Sequence, residues 1–380
     1  MDIHPSFVKA YQLLALLYLH TEQYSKARQA VRAAHKLDKT DDMTLKLMHE
    51  LNQIRKNRTV KIKEKDKKDQ QTVTYSIGNE TIIQPVSSGY KESAGMHTIA
   101  NIAIGLVVGD VSDPFFGAMV KAVEQVSYQT GNFLLIGNGY HNEQKERQAI
   151  EQLIRHRCAA LVVHAKMIPD AELIHLMKQM PGMVIINRII PGFEKRCVAL
   201  DDRYGAWLAT RHLIQQGHTR IGYLCSNHPI SDAEDRLQGY YDALRENGLP
   251  CNDRLVAYGE PDESGGEQAM TELLGRGRNF TAVASYNDSM AAGAMGVLND
   301  NGIEVPAEIS LIGFDDVLVS RYVRPRLTTV RYPIITMATQ AAELALALAE
   351  QRQPPDITHL FSPTLVRRHS VASPTEAQSE

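Results

Sequence analysis

The sequence predicts an α/β fold of doubly wound parallel sheets over residues 102–370, and three observations carry that reading. From Ile102 onward, short apolar runs alternate with stretches of helical length. The runs are apolar throughout, as in Ile221 to Cys225, and each gives way to a polar or Gly-rich turn, as strands covered on both faces do. Third, Val198 to Leu224 reads as strand, acidic turn, helix, Gly stop and buried strand in one βαβ unit. Parallel strands joined this way cross over right-handedly, which puts helices on both faces of each sheet.

The chain before Ile102 is different. Residues 8–41 carry apolar or small side chains at Tyr11, Leu14, Ala15, Tyr18, Ala27, Val31 and Ala34. This spacing resembles a tetratricopeptide repeat, a helical hairpin of about 34 residues; a generic amphipathic hairpin is the alternative. With a capping helix from Met43 to Asn57, residues 1–57 are expected to form a small all-α, TPR-like fragment, marginal alone because such repeats bury one another's faces. Residues 58–101 read as a linker. Arg55 to Lys68 is a mixed but basic run, more in keeping with a solvated helix end than with a nucleic-acid patch, which needs aromatics or a folded groove beside it. Asp69 to His97 is polar and Gly/Ser-containing without a period, and is expected to be a flexible tether.

Within the α/β region the expected strands are IAIGLVVGD, FLLIGNG, ALVVHA, MVIINR, ALDDR, RIGYLC, RLVAYG, AVASYND and ISLIGFDD. Helices are expected over Phe116–Gly131, Glu143–Arg157 and Asp170–Met180. In the organising βαβ unit, Asp201 and Asp202 offer side-chain oxygens to a helix start. Gly205, Ala209 and Leu213 then share one face, and Gly217 supplies a positive φ at the end.

The phrase VxxDDxxGAxxAxxHLIxxGHxxIxYL over Val198–Leu224 resembles the effector core of the LacI/GalR family of bacterial repressors, and the resemblance extends over Ile102 to Ser370. It implies a periplasmic-binding-protein-like (type I) core of two subdomains: the first about 102–200 plus 331–362, the second about 201–330 plus 363–370. Residues 371–380 would form a disordered tail. It further implies a repressor that binds D-galactose or a similar hexose in the cleft between subdomains, pairs as a homodimer and acts on operator DNA, with no cofactor, metal or catalytic step. Members of the family begin with a helix-turn-helix headpiece and hinge helix that enter DNA grooves. Nothing in Met1 to Ala100 matches them, so specific DNA binding has no evident carrier there, and the seam at ANIAIGLVVGD suggests a fusion or chimera.

Ligands of open parallel sheets bind at the carboxyl ends of strands. The residues there are Phe115 and Phe116, Asn187, Arg236 in the helix of DRLQGYYDAL, Asn287, Asp315 and, less directly, Tyr332 after LTTVR. Carboxylate, amide, guanidinium and aromatic groups are what a sugar's hydroxyls and C–H face ask for. The resemblance assigns those seven to the effector site. Structural alternatives stand beside five of them: a hydrophobic staple for the Phe pair, helix capping for Asn287 and Asp315, with Asp288 and Asp316 better placed for it, and a surface position for Arg236.

Composition narrows the function classes. Of 41 Lys+Arg and 44 Asp+Glu, 16 and 11 fall in the first 100 residues, so that part carries +5 and the rest −8. Four scattered cysteines without a CxxC pair argue against a metal knuckle or disulfide framework. No charged-then-apolar leader follows Met1 and no apolar run approaches the ~20 residues of a membrane helix, pointing to a cytoplasmic protein without membrane contact. GxxxxGK, HExxH and GxSxG motifs are absent, and Gly137-Asn-Gly139 lacks the rest of a dinucleotide fingerprint. The competing readings are a TPR-type interaction protein, whose hairpin docks a protein partner while the core senses a ligand, and a transport-type binding protein, which would need export.

Overall fold

The computed structural model describes residues 24–37, 43–48, 72–77, 80–85 and 103–374. The chain divides into two units, Met1–Thr98 and Ile99–Glu380.

In the first unit, α1 (Tyr24–Leu37) buries Ala27, Ala30, Val31 and Ala34 together with Leu47 of the helical residues 43–48. The expected first helix of the TPR-like hairpin lies outside the described residues, as does most of the expected linker. Where that linker is described it is not an irregular tether: β1 (Thr72–Ile77) pairs antiparallel with β2 (Glu80–Pro85). Gly78-Asn79 between them is a hairpin signal of the two-residue kind.

The second unit has two lobes. Lobe one holds β3 (Ala103–Val108), β4 (Phe133–Asn138), β5 (Cys158–Val163), β6 (Met183–Ile186), β7 (Cys197–Leu200) and β13 (Leu360–Phe361). Lobe two holds β8 (Ile221–Ser226), β9 (Val256–Gly259), β10 (Ala282–Ser285), β11 (Ser310–Asp315), β12 (Thr328–Arg331) and β14 (Thr364–Val366). The sheet orders are β13-β7-β6-β5-β3-β4 and β14-β12-β11-β10-β8-β9. Lobe one is covered by α2 (Pro114–Gln129), α3 (Glu143–Arg155), α4 (Asp170–Gln179) and α10 (Ile334–Ala349), and lobe two by α5 (Asp202–Gln215), α6 (Ser231–Glu246), α7 (Glu263–Gly275), α8 (Asp288–Asp300) and the short α9 (Val319–Tyr322).

The chain passes between lobes three times, after β7, after β12 and between β13 and β14. The last passage explains the one departure from parallel pairing. β13 runs parallel to β7, so it ends on the side where both sheets present their strand ends. The chain then enters lobe two from that side, and β14 must run antiparallel to β12. Apolar strands buried on both faces form the cores, as in β5, where Ala160 to Val163 are fully buried.

Two local expectations need correction. Asp201 caps α5 by accepting from the Tyr204 amide at 2.9 Å, but Asp202 turns inward and does not cap. Residues 371–374 are not a free tail. The Ala372 carbonyl accepts from the Ser310 hydroxyl at 3.0 Å and meets the His218 ring at 2.9 Å, anchoring the end of the chain on lobe two. Residues 375–380 lie outside the described residues.

Candidate functional site

Every strand end that faces the gap between the lobes delivers a polar or aromatic side chain. After β3, Asp113 caps α2 by accepting from the Phe115 amide at 2.7 Å, and Pro114 sets the first helical φ. That launch directs Phe115 and Phe116 into the gap, where Phe115 stands edge-on to Tyr332 at 5.1 Å and Phe116 to His164 at 4.9 Å. Phe116 also belongs to the main hydrophobic core, so it serves both packing and lining.

Asn187 follows β6 at φ 63° and Asp315 ends β11 at φ 103°. Both are in the left-handed half of backbone space, a strain that surrounding structure must hold and that collects at functional sites. Arg236 lies on the buried face of α6. Its Nε donates to Asp202 Oδ1 at 2.8 Å, its Nη1 donates to the Tyr286 carbonyl at 2.7 Å, and Asp315 Oδ1 lies 3.6 Å from Nη1. The guanidinium is stacked 3.8 Å above the Phe314 ring and 4.5 Å from that of Tyr286. Asp232, one turn before Arg236 on the same helix, accepts from the Tyr286 hydroxyl at 2.8 Å and pairs with Lys166 at 3.2 Å across the gap. The Lys166 ammonium also donates to the Asn187 carbonyl.

Seven sequence-predicted residues, Phe115, Phe116, Asn187, Arg236, Asn287, Asp315 and Tyr332, line one cavity between the lobes. Their states differ. Asp315 Oδ1 and Asn187 Oδ1 are buried without a hydrogen-bond partner among the described residues. Burial pushes the Asp315 carboxyl up to about 7 against the pull of Arg236, with Asp113, Asp202 and Asp232 pushing the same way. Burial likewise raises Asp202 to about 6 although Arg236 opposes it. At Asp232 burial is outweighed by Lys166, Arg236 and the Tyr286 hydroxyl, and the carboxyl falls below the usual carboxylate range.

Asn287 lines the cavity with its amide largely committed. Its Oδ1 accepts from the Met290 amide and its Nδ2 donates to the Pro261 carbonyl, both at 2.8 Å, so it is Asn287 that caps α8. Asp288, the expected cap, instead accepts from the Thr329 hydroxyl at 2.6 Å and the Val317 amide at 2.9 Å. Asp316, also expected to cap, is held by Arg331 at 2.9 Å and by Arg368.

Comparison with known proteins agrees with this geometry. Residues 210–371 match a family described as a periplasmic binding protein-like domain. Over 272 residues the chain is 88% identical to the HTH-type transcriptional regulator GalR of Escherichia coli K12, covering 72% of this chain and 79% of that one. The chain belongs to the LacI/GalR family of transcriptional regulators. It is also 51% identical over 314 residues to GalS of Salmonella typhimurium LT2, covering 79% of this chain and 92% of that one. A solved sugar-binding transcriptional regulator of the LacI family from Escherichia coli, complexed with phosphate, superposes with a TM-score of 0.64 at 29% identity, over 72% of this chain and 99% of that one.

In this LacI/GalR-family chain, sequence reasoning missed Asp202, Lys166, Asp232 and Tyr286. A signal existed for Asp232, which precedes Arg236 by four residues and therefore shares its helix face. Lys166 became visible only when the lobes met, and Tyr286 only when the end of β10 was set beside α6. Among the described residues, no three His, Cys, Asp or Glu side chains are placed to hold a metal ion, and no helix is long and apolar enough to cross a membrane.

Proposed function

We propose that the chain is a hexose-responsive repressor whose interlobe cavity binds D-galactose or a close relative. The observation that carries this reading is the pair of unpartnered buried acceptors, Asp315 Oδ1 and Asn187 Oδ1, set in the same cavity as the Arg236 cation and the aromatic edges of Phe115, Phe116 and Tyr332. A buried acceptor without a donor costs about 1–3 kcal/mol. A polyhydroxylated ligand relieves both, because each hydroxyl can donate and accept, while its C–H face meets the rings. The Arg236 and Lys166 cations are already paired with Asp202 and Asp232, which favours an uncharged ligand over an anion.

Around that core the proposal places a homodimer in the cytoplasm that acts on operator DNA, the DNA entering through the family alone. No catalytic step is assigned to the cavity and no cofactor is required. Calorimetric titration with D-galactose, with an unrelated pentose as control, tests the reading. Heat with galactose and none with the pentose supports it; no heat with galactose or any other hexose refutes it.

A further inference from the structure

Two adjoining spaces lie between the lobes. Outside the inner cavity is a larger vestibule, lined by Tyr140, Glu260 and Asp262 among others. Five residues line both spaces: Asp113, Phe116, His141, His228 and Pro261. They form the partition between inside and outside.

Two of the five come from opposite lobes to face each other. His141 follows β4 and His228 follows β8, and their ring centroids are 5.3 Å apart at 48°. Each is fixed from its own side. Tyr140 and His141 are successive residues at φ 49° and 48°, a conformation that costs non-glycine residues on the order of 1–3 kcal/mol and needs enforcement. The His141 ring is pressed onto Gly109, where a Cβ would come within 2.6 Å of its Nε2, and it packs on Phe116 at 5.8 Å. On the other lobe, His228 Nε2 meets Glu260 Oε2 at 2.7 Å, and Asn227 Nδ2 donates to the other oxygen of that carboxylate at 2.9 Å. Burial, then the neighbouring His228, hold the His141 ring below the ordinary imidazole range.

We propose that His141 and His228 form a two-part gate that limits the effector to a single unsubstituted sugar ring. The inference rests on the hexose reading above and adds what the site rejects. The centroid spacing leaves no path between the rings for a substituent bonded to a sugar held behind them. A hexoside must therefore push the gate apart and lose the contacts that fix it, which is discrimination by clash against the wrong ligand. The vestibule has room for a second ring, but the partition separates it from the first.

The experiment is calorimetry on the full chain with D-galactose and with galactose carrying a benzyl group at O1, O3 or O6, three positions that cover alternative orientations of the sugar. Wild type is expected to bind galactose more than tenfold tighter than every benzyl derivative. In His141→Gly, which suits the backbone there, and separately in His228→Ala, the affinity for at least one derivative relative to galactose is expected to rise tenfold or more. A derivative that binds wild type within tenfold of galactose overturns the gate, whatever the variants do. So does an unchanged ratio in both variants when both melt cooperatively. Absence of galactose binding to wild type refutes the hexose reading, and this inference with it, whereas galactose binding with an unchanged ratio refutes the gate alone.

Discussion

The Arg236 guanidinium reaches the cavity already bonded to Asp202, whose Oδ1 accepts from its Nε at 2.8 Å on the side away from Asp315. Their side chains are only 4% and 9% exposed, so neither has water to fall back on. Removing one member of such a pair strands the other, at a cost of about 3–5 kcal/mol. Asp202→Ala is therefore expected to lower unfolding stability by that order, and Asp202→Asn, which can still accept, by less. Urea titrations of both variants check this; a change under about 1 kcal/mol in the alanine variant would show the pair to be dispensable.

Asp315 behaves in the opposite way. With no hydrogen bond to lose, Asp315→Ala is expected to leave the melting temperature of the free chain unchanged or raised. Each hydrogen bond from a ligand hydroxyl to a charged partner is worth roughly 1.5–3 kcal/mol, so hexose affinity should fall about tenfold to a hundredfold. Parallel melting curves and calorimetry separate a ligand group from a structural corner.

The same carboxyl gives a pH signature. It titrates at about 7 in the folded chain, against about 3.9 when unfolded. Between those values the folded state holds the extra proton, so this group's effect on stability is negative as pH rises through the window and levels off above it. The stability of Asp315→Asn relative to wild type is thus expected to grow from pH 4 to pH 7 and then stay flat. Denaturation at pH 4, 5.5, 7 and 8 measures it; a difference independent of pH would contradict the shift.

Gly205 on α5 supports the site from behind. A Cβ there would come within 2.6 Å of the Phe314 ring, on which the Arg236 guanidinium is stacked. Gly205→Ala must displace helix or ring, with an expected loss of about 1–3 kcal/mol of stability and a weaker hexose affinity through the shifted Arg236. Unfolding midpoint and ligand affinity should fall together; a melting temperature equal to wild type would show that the helix yields freely.

Lobe one ends in the edge strand β4, which exposes Phe133 at 67%, Leu135 at 37% and Ile136 at 42%. Apolar edges left open invite pairing. Light scattering of the wild type is expected to report a dimer at micromolar concentration, and Phe133→Asp with Leu135→Lys to shift it toward monomer while the far-ultraviolet spectrum is kept.

The core strands were legible because their apolar runs are continuous. The expected FLLIGNG, ALVVHA and RIGYLC begin and end within a few residues of the observed β4, β5 and β8. The strand-end rule likewise led to Phe115, Asn187 and Asp315. The short β13 and β14 gave no signal, since strands of two and three residues have no pattern to read. Which residue caps and which turns inward was not legible either. Asn287 and Asp288 are neighbours with similar side chains, and only the position of Thr329 and Val317 across the lobe decides that Asp288 turns inward. Lys166 was missed for a related reason: its partner Asp232 belongs to the other lobe.

The third passage between the lobes has a consequence for how the protein is made. β13 completes the sheet of lobe one and β14 that of lobe two, and they sit at residues 360–361 and 364–366, after every other strand of both sheets. A ribosome releases the N-terminal parts of a chain first, and domains commonly fold as they emerge. Here neither sheet can be finished before residues 360–366 emerge, because both wait for the same few residues. A chain arrested before them leaves two sheets open at once, so the two lobes are completed together rather than one after the other.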